Sequence, residues 1–402
     1  MNLADMLSYA DITDLVQIAE SYECEYKGHS KNMLIQSILS AVQYRKALES
    51  RVSEMSGNDL RFLNSLLFET QKSYSLEELK ARALGGDTTP MMLQSVLTPQ
   101  QSREVTPTAI KQKRSARNQA TPKAVAPPTP EESARHAISR FKRFGWLFNG
   151  YSQHTRYLYQ VPEDVKSQLR VVLEQRYQKQ LIACEEPPVY RDERGLIQDD
   201  VTLMLRFVRE HEPPLTSEGV MYKRQLGQLL DLLSVVESVP TRAGWRFGYG
   251  RHFQEYPDRF SLIYDFAYSQ GYIKEQQDRL FLTPKGHEVA ETQHYDDLPA
   301  IYRYWLRLYK MPIPNLMTLV QWTMRLSADW ITVASLDLIL HPIIRSYYYD
   351  SSRDILEKRV LTILMHLGVI RWGETAEGQS VIRRTPQGYA LVNDAYRQQY
   401  ID

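Results

Sequence analysis

The stretch 259-RFSLIYDFAYSQGYIKEQQDRLFLTPKGHEVAE-291 decides the fold. Leu262, Ile263, Phe266 and Ala267 recur at helical spacing and stop before Gly271, which suits the left-handed residue that closes a helix. Tyr272-Ile273 and Leu280-Phe281-Leu282 then predict two short strands. Thr283-Pro284-Lys285-Gly286 turns the chain into a further helix, with Thr283 as N-cap and Pro284 in the first turn. The same order recurs between Val360 and Tyr396. There a helix with Leu361, Ile363, Leu364 and Leu367 stops at Gly368. Strands follow at 369–372 and 380–383, then Thr385-Pro386-Gln387-Gly388. A unit that occurs twice carries more weight than either copy alone.

Helix, glycine, two short strands and Thr-Pro-x-Gly resemble the back half of a winged-helix domain. The expected fold is therefore mainly α with small β hairpins, built from tandem winged-helix or helix-turn-helix domains. Five segments are expected. An N-terminal helical module spans 1–84, a disordered basic linker 85–130, a winged-helix-like unit 131–184, a helical plus winged-helix domain 197–298, and a second winged-helix domain 299–402.

Lysine plus arginine number 49 against 48 aspartates and glutamates, so no global field drives this chain of 402 residues onto nucleic acid. Any such binding must come from local patches. Tyrosine is unusually frequent, with 26 copies against 11 phenylalanines, and suits either buried rings with hydroxyls at the rim or exposed stacking platforms. Cys24 and Cys184 provide neither a disulfide framework nor zinc-ligand spacing, which fits a reducing cytosol. The N-terminus lacks the basic and apolar regions of a secretory signal, and no apolar run is long enough to span a membrane. A cytoplasmic protein is expected, nucleoid-associated if bacterial, without membrane contact.

Basic residues gather in several places. Arg140, Lys142, Arg143, His154 and Arg156 interleave with Tyr151, Tyr157 and Tyr159 around a hairpin predicted to turn at Asn149-Gly150. A wing with cations at its tip suits phosphate contact, although charged hairpin tips also serve simply as solvated surface. The linker carries Arg103, Lys111, Lys113, Arg114, Arg117 and Lys123 against Glu104 alone between Pro99 and Pro130. Such a tether grazes phosphates through counterion release, or only aids solubility. Arg242, Arg246 and Arg251 lie in a glycine- and aromatic-rich loop whose main reading is packing.

Two resemblances bear on function. Around Gly28-His29-Ser30-Lys31, two short helices resemble the SAP-type helical pair over residues 10–45, which implies Lys27, His29, Ser30 and Lys31 on a DNA-facing side. A plain helical hairpin remains the alternative. The phrase Pro213-Pro214-Leu215-Thr216-Ser217-Glu218-Gly219-Val220-Met221-Tyr222-Lys223-Arg224-Gln225-Leu226, with Leu282-Thr283-Pro284-Lys285-Gly286 downstream, resembles the helicase-associated region of XPB-type helicases over about residues 200–400. That resemblance implies phosphate contacts at Lys223 and Arg224, against the plainer view that they flank a core helix. Lys285 beside the first Thr-Pro turn, and Arg383 and Arg384 before the second, complete the candidate nucleic-acid-binding residues.

No Gly-Lys-Ser/Thr loop and no Asp-Glu-x-His box occur in the sequence, so the chain resembles the non-motor part of such a helicase. His252, His287, His294, His341 and His366 show no metal-ligand spacing. No Gly-x-Ser-x-Gly elbow occurs. No catalytic residue, metal or cofactor is expected. The aromatic runs Tyr302–Tyr309 and Tyr347-Tyr348-Tyr349 are expected to pack in the core. Exposed, they would signal a protein partner. The function expected is that of a non-enzymatic DNA-binding accessory protein in repair, replication or transcription. The alternative is an adaptor that docks a helicase or nuclease partner. The oligomeric state is open.

Overall fold

A computed structural model describes residues 1–24, 30–43, 45–69, 71–84, 129–240, 252 and 254–398. Among these the chain is mainly helical with small antiparallel sheets. Three helices run into hairpins by one local device. Pro130–Arg143, Asp258–Ser269 and the helical run ending in Thr362–His366 are each followed by a left-handed glycine, at Gly145, Gly271 and Gly368. Just past each glycine a backbone N–H reaches back to the helix: Trp146 to the Phe141 carbonyl (3.0 Å), Tyr272 to Ala267 (2.9 Å) and Val369 to Leu364 (2.8 Å). These bonds satisfy carbonyls that the helix end would otherwise leave bare.

The hairpins differ in size. Ile273–Gln276 pairs with Arg279–Leu282, and Ile370–Glu374 with Ser380–Arg384. The second hairpin sits in a four-stranded sheet, flanked by Val189–Arg191 on one edge and Ile331–Thr332 on the other. Residues 185–196, which lie between the expected segments 131–184 and 197–298, thus supply an edge strand. All three of its side chains are exposed, so hydrophobic alternation gave no signal. The hairpin of the 131–184 segment pairs only Phe148–Asn149 with Tyr159–Gln160. Its connection runs through 150–158 rather than turning at Asn149-Gly150, because Ser152 and Thr155 bond each other's hydroxyl and backbone groups and build a longer loop. Tyr74 bridges to Tyr159 through two 2.8 Å backbone bonds, so the end of the 1–84 segment caps this hairpin.

The Thr-Pro-x-Gly phrase has a structural reason at both sites. Thr283 accepts a bond from the Gly286 N–H (3.1 Å) and donates to the Gly271 carbonyl (2.5 Å). Thr385 does the same with Gly388 (2.9 Å) and Gly368 (2.8 Å). The threonine therefore caps the new helix and locks the end of the old one. The glycine is required by space: a Cβ at Gly286 would lie 2.0 Å from the Tyr272 carbonyl oxygen, and one at Gly388 2.3 Å from that of Val369.

The segments share one hydrophobic core that runs from Leu3 to Ala395. Two buried polar joints cross it. Asn64 donates to the Leu60 carbonyl (2.8 Å) and the Tyr177 hydroxyl (3.3 Å), and its side-chain oxygen accepts from the Trp322 indole (2.7 Å). Its backbone carbonyl accepts from Thr318 (3.2 Å). This joins the helices Gly57–Leu67, Glu163–Gln178 and Leu316–Leu326. The second joint is ionic. Arg259, fully buried, lies 2.5 Å from Asp200 and 3.6 Å from Glu193, and Glu193 meets Arg191 and His366, the latter at 2.7 Å. Burial pushes the Glu193 carboxyl upward, but the hydrogen bond and charge of His366, with Arg191 and Arg259, outweigh it and hold the group below its ordinary value.

Tyr302, Trp305 and Tyr309 are buried as expected, whereas Tyr348 and Tyr349 are 70% and 89% exposed, which corrects the core reading of that triplet. Tyr348 takes a left-handed backbone conformation in the turn closed by Tyr347 and Asp350.

Four outcomes follow for stability. Gly388→Ala should cost about 3 kcal/mol in urea unfolding, since backbone rather than a flexible side chain obstructs the new methyl. Gly57→Ala, in a helix with nothing within 4 Å of its Cβ position, should be neutral or stabilising by less than about 1 kcal/mol. Arg259→Ala should cost about 3–5 kcal/mol by leaving the buried Asp200 carboxylate without its ion-pair partner. Because the folded Glu193 value is depressed, its contribution is present above the unfolded carboxylate range and fades as pH falls through the folded value. His366→Ala should therefore flatten the acid limb of a plot of Tm against pH.

Candidate nucleic-acid interface

The helix Pro130–Arg143 is amphipathic, with Ala134, Ala137, Ile138 and Phe141 inward. Its last turn carries Arg140, Lys142 and Arg143, where positive charge complements the carbonyl end of the helix. Beyond Gly145, Trp146 and Phe148 bury themselves, and the 150–158 loop places Tyr151, Arg156 and Tyr157 in solvent.

The N-terminal helices dock against this hairpin through Tyr22. Its hydroxyl donates to the Phe144 carbonyl (2.9 Å) and accepts from the Trp146 indole (3.0 Å). Burial pushes the phenol far above its usual range, so it remains a donor. A second clamp lies at the start of the chain. The Leu3 N–H donates to the Asp164 carboxylate (2.8 Å), and the Glu163 N–H to the Met1 carbonyl (3.2 Å).

These clamps bring Tyr9 over the hairpin loop. The rings of Tyr9 and Tyr151 stack at 4.8 Å with 20° between their planes, although the residues are 61% and 60% exposed. Beside them the Arg156 guanidinium lies 4.6 Å from the ring centre of Tyr157, itself 68% exposed. A groove of about 490 Å³ opens between the two segments, with Tyr9, Asp14, Gln17, Lys142, Tyr151 and Arg156 in its wall. Lys31, on the helix Lys31–Gln43, donates to the Ser8 carbonyl (2.7 Å), next to Tyr9. Of the predicted cations Lys142 and Arg156 thus line the groove, with Arg143 exposed at the end of the same helix as Lys142, while Lys31 is outside the lining.

The other candidates sit elsewhere. Arg140 is tied to the buried Asp59 carboxylate at 2.5 Å. Arg384 donates to the Met324 carbonyl (2.6 Å) and lies 4.0 Å from the Tyr389 ring centre. Both guanidinium groups are thus engaged inside the fold. Lys223 and Arg224 are exposed in the first turn of Lys223–Leu230. Lys285 reaches the Gln270 carbonyl (3.2 Å) and the Tyr272 ring, and Arg383 reaches the Ala328 carbonyl (3.3 Å). None of these lines the groove. Lys27, His29, the six linker cations and Arg242, Arg246 and Arg251 lie outside the described residues.

Sequence reasoning missed Tyr9 and the acidic wall formed by Asp11 and Asp14. Tyr9 ends a seven-residue helix, Leu3–Tyr9, whose Asn2–Asp5 capping box was a legible but unread signal. That Tyr9 meets Tyr151 carried no sequence signal, since 142 positions separate them.

Among the described residues no group of three or more His, Cys, Asp or Glu side chains could hold a metal ion, and no helix is long and apolar enough to cross a membrane. Arg140→Ala should lower Tm by a structural route, at a cost of about 1–3 kcal/mol for stranding Asp59, whereas Arg143→Ala should leave Tm unchanged within error. Compared with protein-family models, curated proteins and solved structures, the chain has no match to any of them.

Proposed function

We propose that the helix–hairpin–helix units are winged helices and that the chain is a non-enzymatic DNA-binding accessory protein in a repair, replication or transcription setting. One observation carries this reading. Lys142 and Arg156 line a groove edged by the exposed, stacked rings of Tyr9 and Tyr151, which come from segments more than a hundred residues apart. Cations interleaved with exposed aromatic rings suit a phosphate backbone and its bases together. The resemblance of residues 200–400 to a helicase-associated region agrees with an accessory role beside a motor supplied by another protein.

A second reading, an adaptor for a helicase or nuclease, draws on Tyr348 and Tyr349, which expose aromatic surface far from water's preference. Salt separates the two. Phosphate contacts release counterions and weaken steeply with salt, while an apolar docking face barely responds. In fluorescence anisotropy with labelled DNA, the full chain should bind at low salt and lose affinity as salt rises. The triple variant Lys142→Ala, Arg143→Ala, Arg156→Ala should weaken binding at least tenfold and flatten the salt slope by two to three ions. Failure to bind any DNA at low salt would overturn the DNA reading.

A further inference from the structure

Resting on the nucleic-acid reading above, we propose that the groove takes single-stranded DNA, with unpaired bases stacked on the Tyr9–Tyr151 pair and phosphates along the Lys142–Arg156 rim. Three features select an unpaired strand over a duplex.

The first is the exposed stack. Tyr9 and Tyr151 lie nearly parallel at 4.8 Å with more than half of each residue in solvent. The two rings cover one face of each other while most of each residue stays in solvent, which suits a flat base added to the stack. In a duplex the base faces are already covered by neighbouring pairs and cannot reach a tyrosine. The second is the pairing of Arg156 with Tyr157. The guanidinium over that ring forms a planar, cationic shelf beside the stack, of a kind that accepts a base face or a phosphate.

The third is charge. Asp11 and Asp14 share the groove wall with Lys142 and Arg156, and Gln17, Asn149 and Gln160 add neutral amides. Two carboxylates at the wall repel a phosphate that enters the groove, so a backbone cannot lie along its floor. A base edge can, because the exocyclic amines of cytosine, adenine and guanine donate to carboxylate and amide oxygens. A single strand turns its bases in and its phosphates out to the cations. A duplex has no such freedom.

The test uses the full chain and three labelled probes of equal length: a single strand with bases, the same strand made entirely of abasic sugars, and a duplex. All three carry phosphates, but only the first offers free base faces. The expected result is that the base-bearing strand binds at least tenfold tighter than either other probe. Tyr9→Ala and Tyr151→Ala should each weaken that strand by roughly tenfold and leave the abasic probe unchanged, whereas Tyr151→Phe should retain binding. Both tyrosines are largely exposed, so melting curves of the variants should overlay the parent.

If the abasic strand or the duplex binds as well as the base-bearing strand, this proposal falls while the DNA reading stands. If Tyr151→Phe loses as much as Tyr151→Ala, the ring face is not the contact and the proposal also falls. If no probe binds at low salt, both fall together.

Discussion

A helix that ends inside a protein must find partners for its last carbonyls, and in this chain the same solution is used three times. Gly145, Gly271 and Gly368 adopt the left-handed conformation, and the following residue donates back across the last turn. The turn aims the chain back along the helix, so a hairpin is the natural continuation. All three hairpins, and the loop at the candidate interface, depend on that bond. At two of the three sites a threonine adds a second tie between the old helix and the new one, and a glycine lets the two backbones touch. At the first site Pro162 opens the next helix without a side-chain cap, and Tyr74 supplies bonds to the hairpin from elsewhere.

The hairpin units are joined by buried polar groups as well as by apolar packing. Asn64 places both its amide and its carbonyl oxygen on partners from three helices, which is the condition under which a buried amide avoids the cost of lost water. Arg259 is the ionic counterpart. The contact is made by charge rather than by well-aligned hydrogen bonds, since the guanidinium lies between Asp200 and Glu193 with no bond of good geometry. Such a site does little for net stability but demands its full set of partners, and so fixes how the helix Asp258–Ser269 meets Leu196–His211 and the strand beside it.

The candidate interface follows from this assembly. Cations at a helix end and tyrosines on a loop are common surface features and specify little alone. Docking of the N-terminal helices through Tyr22 adds a third tyrosine and two carboxylates to the same rim. The result is a groove with chemistry on both walls. Its mixed charge is also consistent with a chain whose cations and anions nearly balance.

Much of the local architecture was legible in the sequence. Helical periodicity ending at glycine, and Thr-Pro-x-Gly after a short apolar alternation, located two hairpins and the helices around them, because caps, left-handed turns and amphipathic faces are local consequences of residue type. Other features were not read from the sequence. The strand Val189–Arg191 exists only through its partner, and the loop at 150–158 follows from two hydroxyls rather than from the Asn-Gly pair that suggested a tight turn. Tyr348 and Tyr349 are exposed although an apolar helix precedes them. Arg140 and Arg384 looked like their basic neighbours and proved to be occupied by Asp59 and by Met324 with Tyr389. The sequence by itself determined which segments become helices and hairpins, because those choices rest on contacts within a few residues. Which cations face solvent, and that Tyr9 meets Tyr151, was decided only by tertiary structure, because burial and long-range stacking depend on how distant segments pack.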